Sequence, residues 1–309
     1  MTKVRFIPMC HMANGMEFGI HVHELVGTAG DGPTVGISGV IHGNEVTGAH
    51  IILDLARALA NVKFKGRILL LPVANPHGFE ANERFVPVDW INLNRVFPGN
   101  KQGTFSDHLA DLIFREFITK LDVLIDLHSG TDRPTVDYTF IFNDEGLSRS
   151  TGSKILYRMP ESNRVYDGTS AVAAVAKGIR SVVIEIGGGV IDQAPYAKWG
   201  VSSLMNMLRH LEMVEGNPAP LPEQIVVNEI QLVRPTQGGF LETEAPPLGE
   251  RIRGGDVLGR VISPYTFEEL EVMRCPVEDG IMILSHLTRN VIHPGDYGYM
   301  IGNMEGHTK

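Results

Sequence analysis

The chain alternates short continuous apolar runs with amphipathic stretches of helical period, the pattern of strands buried on both faces with helices packed over them. Thr34 to Ile41 is such a run, rich in small residues, and predicts a strand that delivers His42 at its end. From Val46 to Leu59, the residues Ile51, Ile52, Leu55, Ala56 and Leu59 fall on one helical face and predict a helix that covers that strand. The cycle then repeats. Arg67 to Ala74 predicts a strand closed by the turn Asn75-Pro76-His77-Gly78. Ser106 to Ile118 predicts a helix with Ser106 as its cap and Leu109, Leu112, Ile113 and Phe117 on one face. Leu121 to Leu127 predicts a strand delivering His128-Ser129-Gly130. Ser170 to Lys177 predicts an alanine-rich helix stopped by Gly178, and Ser181 to Ile186 a buried strand abutting glycines 187, 188 and 189. A last covering helix is expected around Tyr196 to Val214.

The intervening stretches read differently. Phe6 to Val26 predicts strands ending in the turn-rich loop Gly27 to Pro33, while Thr139 to Phe142 and Val165 are extended or turn-like. Phe79 to Gly103 has little periodicity but many polar and aromatic groups, and a loop that long in a compact domain usually carries function. Asn217-Pro218-Ala219-Pro220-Leu221-Pro222 reads as a linker. Beyond it, Val226 to Met300 is β-rich, broken by Gly-Gly and Pro at short spacing, with no helix of ordinary length. The expected organisation is therefore an α/β domain over residues 1–220 and a small all-β domain over 221–309.

Composition narrows the partners. A net charge of -9 and a pI near 5.7 argue against nucleic acid or an anionic membrane as the main partner, since both recruit basic patches. No stretch approaches the length of a membrane span, and Met1 to Arg5 is not followed by the apolar core of a secretory signal. Cys10 and Cys275 are the only cysteines, which suits a reducing cytoplasm better than a disulfide framework. A small-molecule partner is expected.

The chemistry gathers at the strand ends. His42 and Glu45, across a turn that Gly43 keeps tight, together with His128, form a His, Glu, His set of the type that binds zinc and leaves a position open for water. In open α/β sheets ligands bind beyond the carboxyl ends of the strands, which is a reason to group them. Glu185 is an anomaly, a carboxylate ending an apolar strand, and is a candidate proton shuttle. Arg84, Asn94 and Arg95 in the long loop are candidates for gripping a carboxylate and an oxyanion. His21 and His23 share a strand face and read as an exposed or core-edge pair more readily than as ligands.

The ordered set His42-Gly43-Asn44-Glu45, Asn75-Pro76, Asn94-Arg95-Val96-Phe97-Pro98-Gly99, Asp126-Leu127-His128 and Glu185 resembles the succinylglutamate desuccinylase/aspartoacylase family. The resemblance spans roughly Val35 to Gly189, and the β module also looks like the family's C-terminal extension. It implies a zinc carboxypeptidase-like mixed sheet flanked by helices and one zinc ion per chain on His42, Glu45 and His128. It also implies that Glu185 activates water and then protonates the leaving amine, that Asn94 and Arg95 position substrate with Arg95 near the scissile carbonyl, and that Arg84 grips a carboxylate. The implied reaction is hydrolysis of a small N-acyl amino acid; a carboxypeptidase of short peptides and a nonhydrolytic binding protein are the alternatives. The family commonly has Asp-Leu-Asn-Arg where this chain has Asn92-Leu93-Asn94-Arg95, so a neutral amide replaces an acid. The β module resembles a lipoyl or biotinyl carrier barrel, yet no lysine lies between Lys198 and Lys309, so it is expected to shape the site or mediate contacts, including those of a homo-oligomer.

Overall fold

The computed structural model describes residues 2–131, 133–160, 163–188, 192–221, 223–286 and 290–305. Gly189 of the expected glycine run and Pro222 of the expected linker lie outside the described residues. The first half of the chain builds β1 (Thr2–His11), β2 (Glu17–Val26), β3 (Thr34–Gly39), α1 (Thr47–Leu59), β4 (Arg67–Leu71), α2 (Pro76–Ala81), α3 (Phe105–Glu116) and β5 (Val123–His128). It continues with β6 (Tyr138–Ile141), α4 (Glu145–Arg149), β7 (Ile155–Arg158), α5 (Ser170–Val175), β8 (Arg180–Glu185), α6 (Ala194–His210) and β9 (Ile225–Val227). Among the described residues these strands form one nine-stranded mixed sheet in the order β1-β2-β4-β3-β5-β8-β6-β7-β9. Its centre, β4-β3-β5-β8, is parallel, so β3, β5 and β8 present their carboxyl ends on one side.

The period of two along the central strands sorts their side chains. Val123, Ile125 and Leu127 of β5 and Val182 and Ile184 of β8 pack with Ile51, Leu55 and Leu59 of α1 and Leu204 and Met207 of α6. The other face of β5 packs Leu124 with Leu109 and Ile113 of α3 and Ala173 and Ala174 of α5. Asp126, His128 and Glu185 share that second parity. Apolar burial on both sides at about 25 cal/mol per Å² is what holds this layer together.

Several details differ from the sequence reading. The Asn75-Pro76 turn opens α2, with Pro76 in the first turn and the Asn75 side chain accepting from the Gly78 N–H at 2.9 Å. The cap of α3 is Thr104 in a reciprocal box with Asp107, and the Ser106 hydroxyl donates instead to Asp89 at 2.7 Å. The short elements α4 and β7 had no periodic signal.

After the linker, β9 pairs in parallel with β7, so Ile225–Val227 extend the large sheet. The module proper contains β10 (Ile230–Val233), β11 (Gly239–Thr243), β12 (Arg251–Arg253), β13 (Val257–Ile262), β14 (Glu269–Arg274), β15 (Asp279–Leu284), β16 (Asn290–Ile292) and β17 (Tyr299–Asn303). These make two four-stranded antiparallel sheets, β10-β17-β15-β12 and β14-β13-β11-β16. They share a core of Leu241, Leu258, Val261, Met282, Tyr299 and Ile301. No helix interrupts the module among the described residues. The inner edge of the module is laced to the large domain: the Val136 N–H donates to the Ile283 carbonyl at 2.8 Å, and the Ser285 N–H to the Pro134 carbonyl at 3.1 Å.

Leu55 is wholly buried between α1 and the sheet. Leu55→Ala is expected to lower unfolding free energy by about 2–5 kcal/mol, measured by urea denaturation followed by circular dichroism; a loss below about 0.5 kcal/mol would show that the site collapses to fill its own cavity.

Candidate functional site

The turn after β3 begins with a conformational anomaly. Val40 has φ +55°, a region that β-branched residues rarely occupy. It is held there by backbone bonds, the Ala74 N–H donating to the Gly39 carbonyl and the Asn75 N–H to the Val40 carbonyl, each at 3.0 Å. This kink turns the chain off the sheet so that His42 arrives beyond the strand. Gly43 then passes against the turn of α2, where a Cβ would lie 1.9 Å from the Gly78 carbonyl carbon. The glycine is required by close approach and not by a left-handed φ.

His42, Glu45 and His128 converge, each buried, with one ligand atom apiece lying within 4.8 Å of the others. This group could hold a metal ion. The hydrogen bonds around it settle which atoms point inward. Asn92 Oδ1 accepts from the Asn94 N–H at 2.9 Å, which fixes the orientation of its amide. The His42 Nε2–H therefore donates to that same oxygen at 3.2 Å, leaving the Nδ1 lone pair facing Glu45 Oε1 at 2.8 Å. His42 Nδ1 is a buried atom with no hydrogen-bond partner. Burial lowers the pKa of His42 to about 4, so the ring is neutral, and two lone pairs that close repel unless a cation lies between them. A borderline cation such as zinc fits a donor set of two imidazoles and one carboxylate.

His128 is supported in the same way from the other side. Its Nδ1 lies 2.9 Å from Glu45 Oε2 and its Nε2 3.3 Å from Asp126 Oδ2. Asp126, fully buried two residues earlier on β5, accepts from the Ser38 hydroxyl at 2.8 Å and the Ser170 hydroxyl at 2.6 Å. A carboxylate behind a ligand histidine fixes its tautomer and raises its basicity. Burial alone would lower the His128 pKa, but Asp126 and Glu45 outweigh it and hold the ring well above the usual histidine range. For Glu45, burial is outweighed by His42 and His128, which keep its carboxyl well below the usual value.

Glu185 ends β8 in register with His128 on β5. Burial pushes its pKa up to about 8, and the nearby Glu45 adds to the effect while His128 opposes it. Its neighbours Gly187 and Gly188 have φ +66° and +128°, and a Cβ at Gly188 would meet the Arg133 carbonyl oxygen at 2.4 Å. These glycines thus seat the backbone of the β8 end against the loop after His128, where the Gly130 N–H donates to the Gly187 carbonyl at 3.0 Å.

The three loop candidates reach the same cavity. Arg84 Nη1 is tied to Glu45 Oε1 at 2.6 Å and to Thr131 Oγ1 at 3.2 Å. The Asn94 Oδ1 accepts from the Ser170 N–H at 2.9 Å, and its Nδ2 lies 3.3 Å from His128 Nε2. Arg95 is anchored through Nη1 to the Asn94 carbonyl at 2.7 Å and lies over the Tyr166 ring at 5.9 Å. Asn92, the departure from the family pattern, is the group that orients His42; its amide oxygen performs as acceptor what a carboxylate would perform with charge. His21 packs against the Phe6 ring at 4.9 Å and, with His23, takes no part in the buried cluster.

Sequence reasoning quoted Asp126 only as part of a motif and gave Ser38, Thr131 and Ser170 no role. Asp126 was recoverable: a carboxylate in an apolar strand, two residues from a ligand, must share its face. The others come from separate segments and carried no local signal. The cavity holds about 200 Å³, and its far wall includes Leu284, Tyr297 and Met300 of the C-terminal module.

The large mixed sheet, its flanking helices and the metal-competent group at its strand ends define an α/β protein with the layout of a hydrolase. The chain belongs to the succinylglutamate desuccinylase/aspartoacylase family, a family of N-acyl amino acid deacylases: residues 31–211 match the family model of the Succinylglutamate desuccinylase/Aspartoacylase catalytic domain. It is 27% identical over 247 residues to the N-alpha-acetyl-L-2,4-diaminobutyric acid deacetylase of Halomonas elongata, covering 75% of this chain and 71% of that protein. A succinylglutamate desuccinylase structure from Silicibacter sp. TM1040 superposes with TM-score 0.84 at 26% identity, over 98% of this chain and 94% of that one. The product-bound ectoine utilization protein EutE (DoeB) of Ruegeria pomeroyi shares the fold with TM-score 0.86 at 24% identity, over 98% and 95%.

Because a Cβ at residue 43 would collide with the Gly78 backbone, Gly43→Ala is expected to destabilise the fold by about 1–3 kcal/mol in urea titration. An unchanged midpoint would mean that the turn moves freely.

Proposed function

We propose that the protein is a zinc-dependent deacylase that hydrolyses the amide bond of a small N-acyl amino acid or related metabolite, with one zinc ion per chain. The observation that carries this is the buried His42 Nδ1, without a hydrogen-bond partner and 2.8 Å from Glu45 Oε1, in a cluster completed by His128 beside Glu185. His42, Glu45 and His128 would hold the ion. Zinc, when bound, polarises a carbonyl and lowers the pKa of water, and it would also draw the Glu185 carboxyl back toward its ionised form.

The chain's own groups then divide the work. Glu185 takes the proton from the attacking water and delivers it to the departing amine, the two transfers that amide hydrolysis requires. Its position supports this role, since it ends β8 in register with His128 and lines the same cavity. Arg95, anchored by its bond to the Asn94 carbonyl, would stabilise the developing oxyanion or hold the substrate carboxylate. Arg84 contributes positive charge at the cavity, although its tie to Glu45 makes it a brace for the ligand carboxylate as well as a contact for substrate. The family membership and the Halomonas elongata relative, a deacetylase by name, support an N-acyl amino acid as substrate. Cys10 and Cys275 are both free thiols, which supports a cytoplasmic location. No helix among the described residues is long and apolar enough to cross a membrane.

Two measurements test this reading. Elemental analysis of the purified protein should find stoichiometric zinc, and His128→Ala should lose tight binding of it; unchanged zinc content in the variant would remove His128 from the ligand set. Glu185→Gln should retain zinc and the native circular dichroism while kcat on N-acyl amino acids falls by about 10²–10⁴-fold. Near-wild-type turnover by that variant would remove Glu185 from the mechanism, and faster cleavage of dipeptides than of N-acyl amino acids would make the protein a peptidase.

A further inference from the structure

The cavity is strongly asymmetric. Its charged lining is made by the proposed metal ligands, Glu185 and three arginines, Arg84, Arg95 and Arg133. Away from them it follows β6, which runs antiparallel to β8 with Tyr138 opposite Glu185 and Phe140 opposite Val183. Because alternate residues share a face, Tyr138, Phe140 and Phe142 form a row leading away from Glu185, with ring centroids 5.4 Å apart for the first pair and 6.1 Å for the second. Tyr166 meets Phe140 edge-on at 5.3 Å, and Val183 and Met300 complete the wall. Tyr138, Phe140 and Val183 belong to a buried apolar cluster, and the partly buried Phe142, Tyr166 and Met300 packed against it also line the cavity.

The charges lining the cavity among the described residues sharpen the contrast. The carboxylates are Glu45 and Glu185. The first is committed to His42, His128 and Arg84, and the second sits at the reaction centre. Among the described lining residues a side-chain ammonium would therefore find no uncommitted carboxylate, and a second carboxylate seated on the row itself would lie against aromatic and aliphatic carbon, losing hydration that the row does not replace. An apolar group loses nothing there and gains contact with rings and methylenes.

We infer that the row Tyr138, Phe140 and Phe142, with Val183, Tyr166 and Met300, is a specificity subsite for an uncharged apolar group, aromatic or branched aliphatic, attached next to the amide of the substrate. The inference rests on the deacylase reading for the presence of an amide, but the subsite's preference is a property of binding and can be measured without turnover. The consequence is that this chain selects a different class of N-acyl amino acid from a relative named for an acetylated diamino acid.

The test is calorimetric titration of zinc-loaded Glu185→Gln protein, in which ligands stay intact, with N-acetylphenylalanine, N-phenylacetylalanine, N-acetylaspartate and N-acetyl-2,4-diaminobutyrate. One or both of the phenyl-bearing ligands should bind at least about tenfold more tightly than either ligand with a charged side chain, and whichever does shows which half of the amide fills the subsite. Phe142→Ala should narrow that ratio several-fold, and Phe142→Leu, which keeps an apolar side chain of similar reach, should restore much of it. Equal affinities, tighter binding of the aspartate or diaminobutyrate ligand, or no binding by any phenyl ligand would overturn the inference. Failure of the deacylase reading looks different: the unmodified enzyme would leave every amide intact while the binding preference persisted.

Discussion

A single buried carboxylate, that of Glu45, is the constraint on which the site depends. Removed from water, a carboxylate is tolerable only when its charge is met on several sides. Glu45 is met by His128 and the Ser129 N–H from the end of β5, by the Thr131 hydroxyl just beyond it, and by Arg84 from the long loop after α2. Satisfying one ion thus draws separate segments into a fixed arrangement. The histidines are then braced in turn: Asn92 behind His42, Asp126 behind His128, and Ser170 behind both Asp126 and Asn94. The second layer reaches from β3 to the start of α5, so the precision of the cluster is inherited from the sheet.

The convergence of His42, Glu45 and His128 and the central sheet were legible because their signals are local or strictly periodic. His42 and Glu45 are three residues apart, and His128 and Glu185 end continuous apolar strands, so each announces itself by breaking a pattern. Asn92 was noticed as a departure, yet its effect is visible only in three dimensions, where the amide oxygen that accepts from the Asn94 N–H also receives the His42 proton. What stayed hidden is what depends on contacts between distant segments: the tie of Arg84 to Glu45, the support of Asp126 by two hydroxyls, and the aromatic row of β6 as a cavity wall. Thr104 took the cap of α3 from Ser106 because the box with Asp107 satisfies two backbone donors, whereas Ser106 alone would satisfy one. Val40 is a related case, since no propensity places a β-branched residue in the left-handed region; the two backbone bonds from Ala74 and Asn75 do so.

The cavity is divided by polarity. Charge-bearing groups lie at the carboxyl ends of the parallel strands, where the backbone ladder stops and polar side chains find partners. The apolar row lies on β6, which enters antiparallel and presents its start to the same region. The change of strand direction between β8 and β6 therefore places the beginning of one strand beside the end of another, and a carboxylate beside a row of rings.

The pairing of β9 with β7 gives the linker an unexpected character. A proline-rich connection normally marks a place where a chain can be divided and its parts exchanged between proteins. Here the strand immediately after it is stitched into the catalytic sheet, and β15 is bonded to the loop that follows His128. The division between the two modules in three dimensions thus falls beyond the linker. A duplication or fusion that cut at the prolines would leave β7 as a bare sheet edge and the cavity without its far wall. The β module and the catalytic domain are in that respect a single inheritable unit, free to diverge in sequence but not to part company.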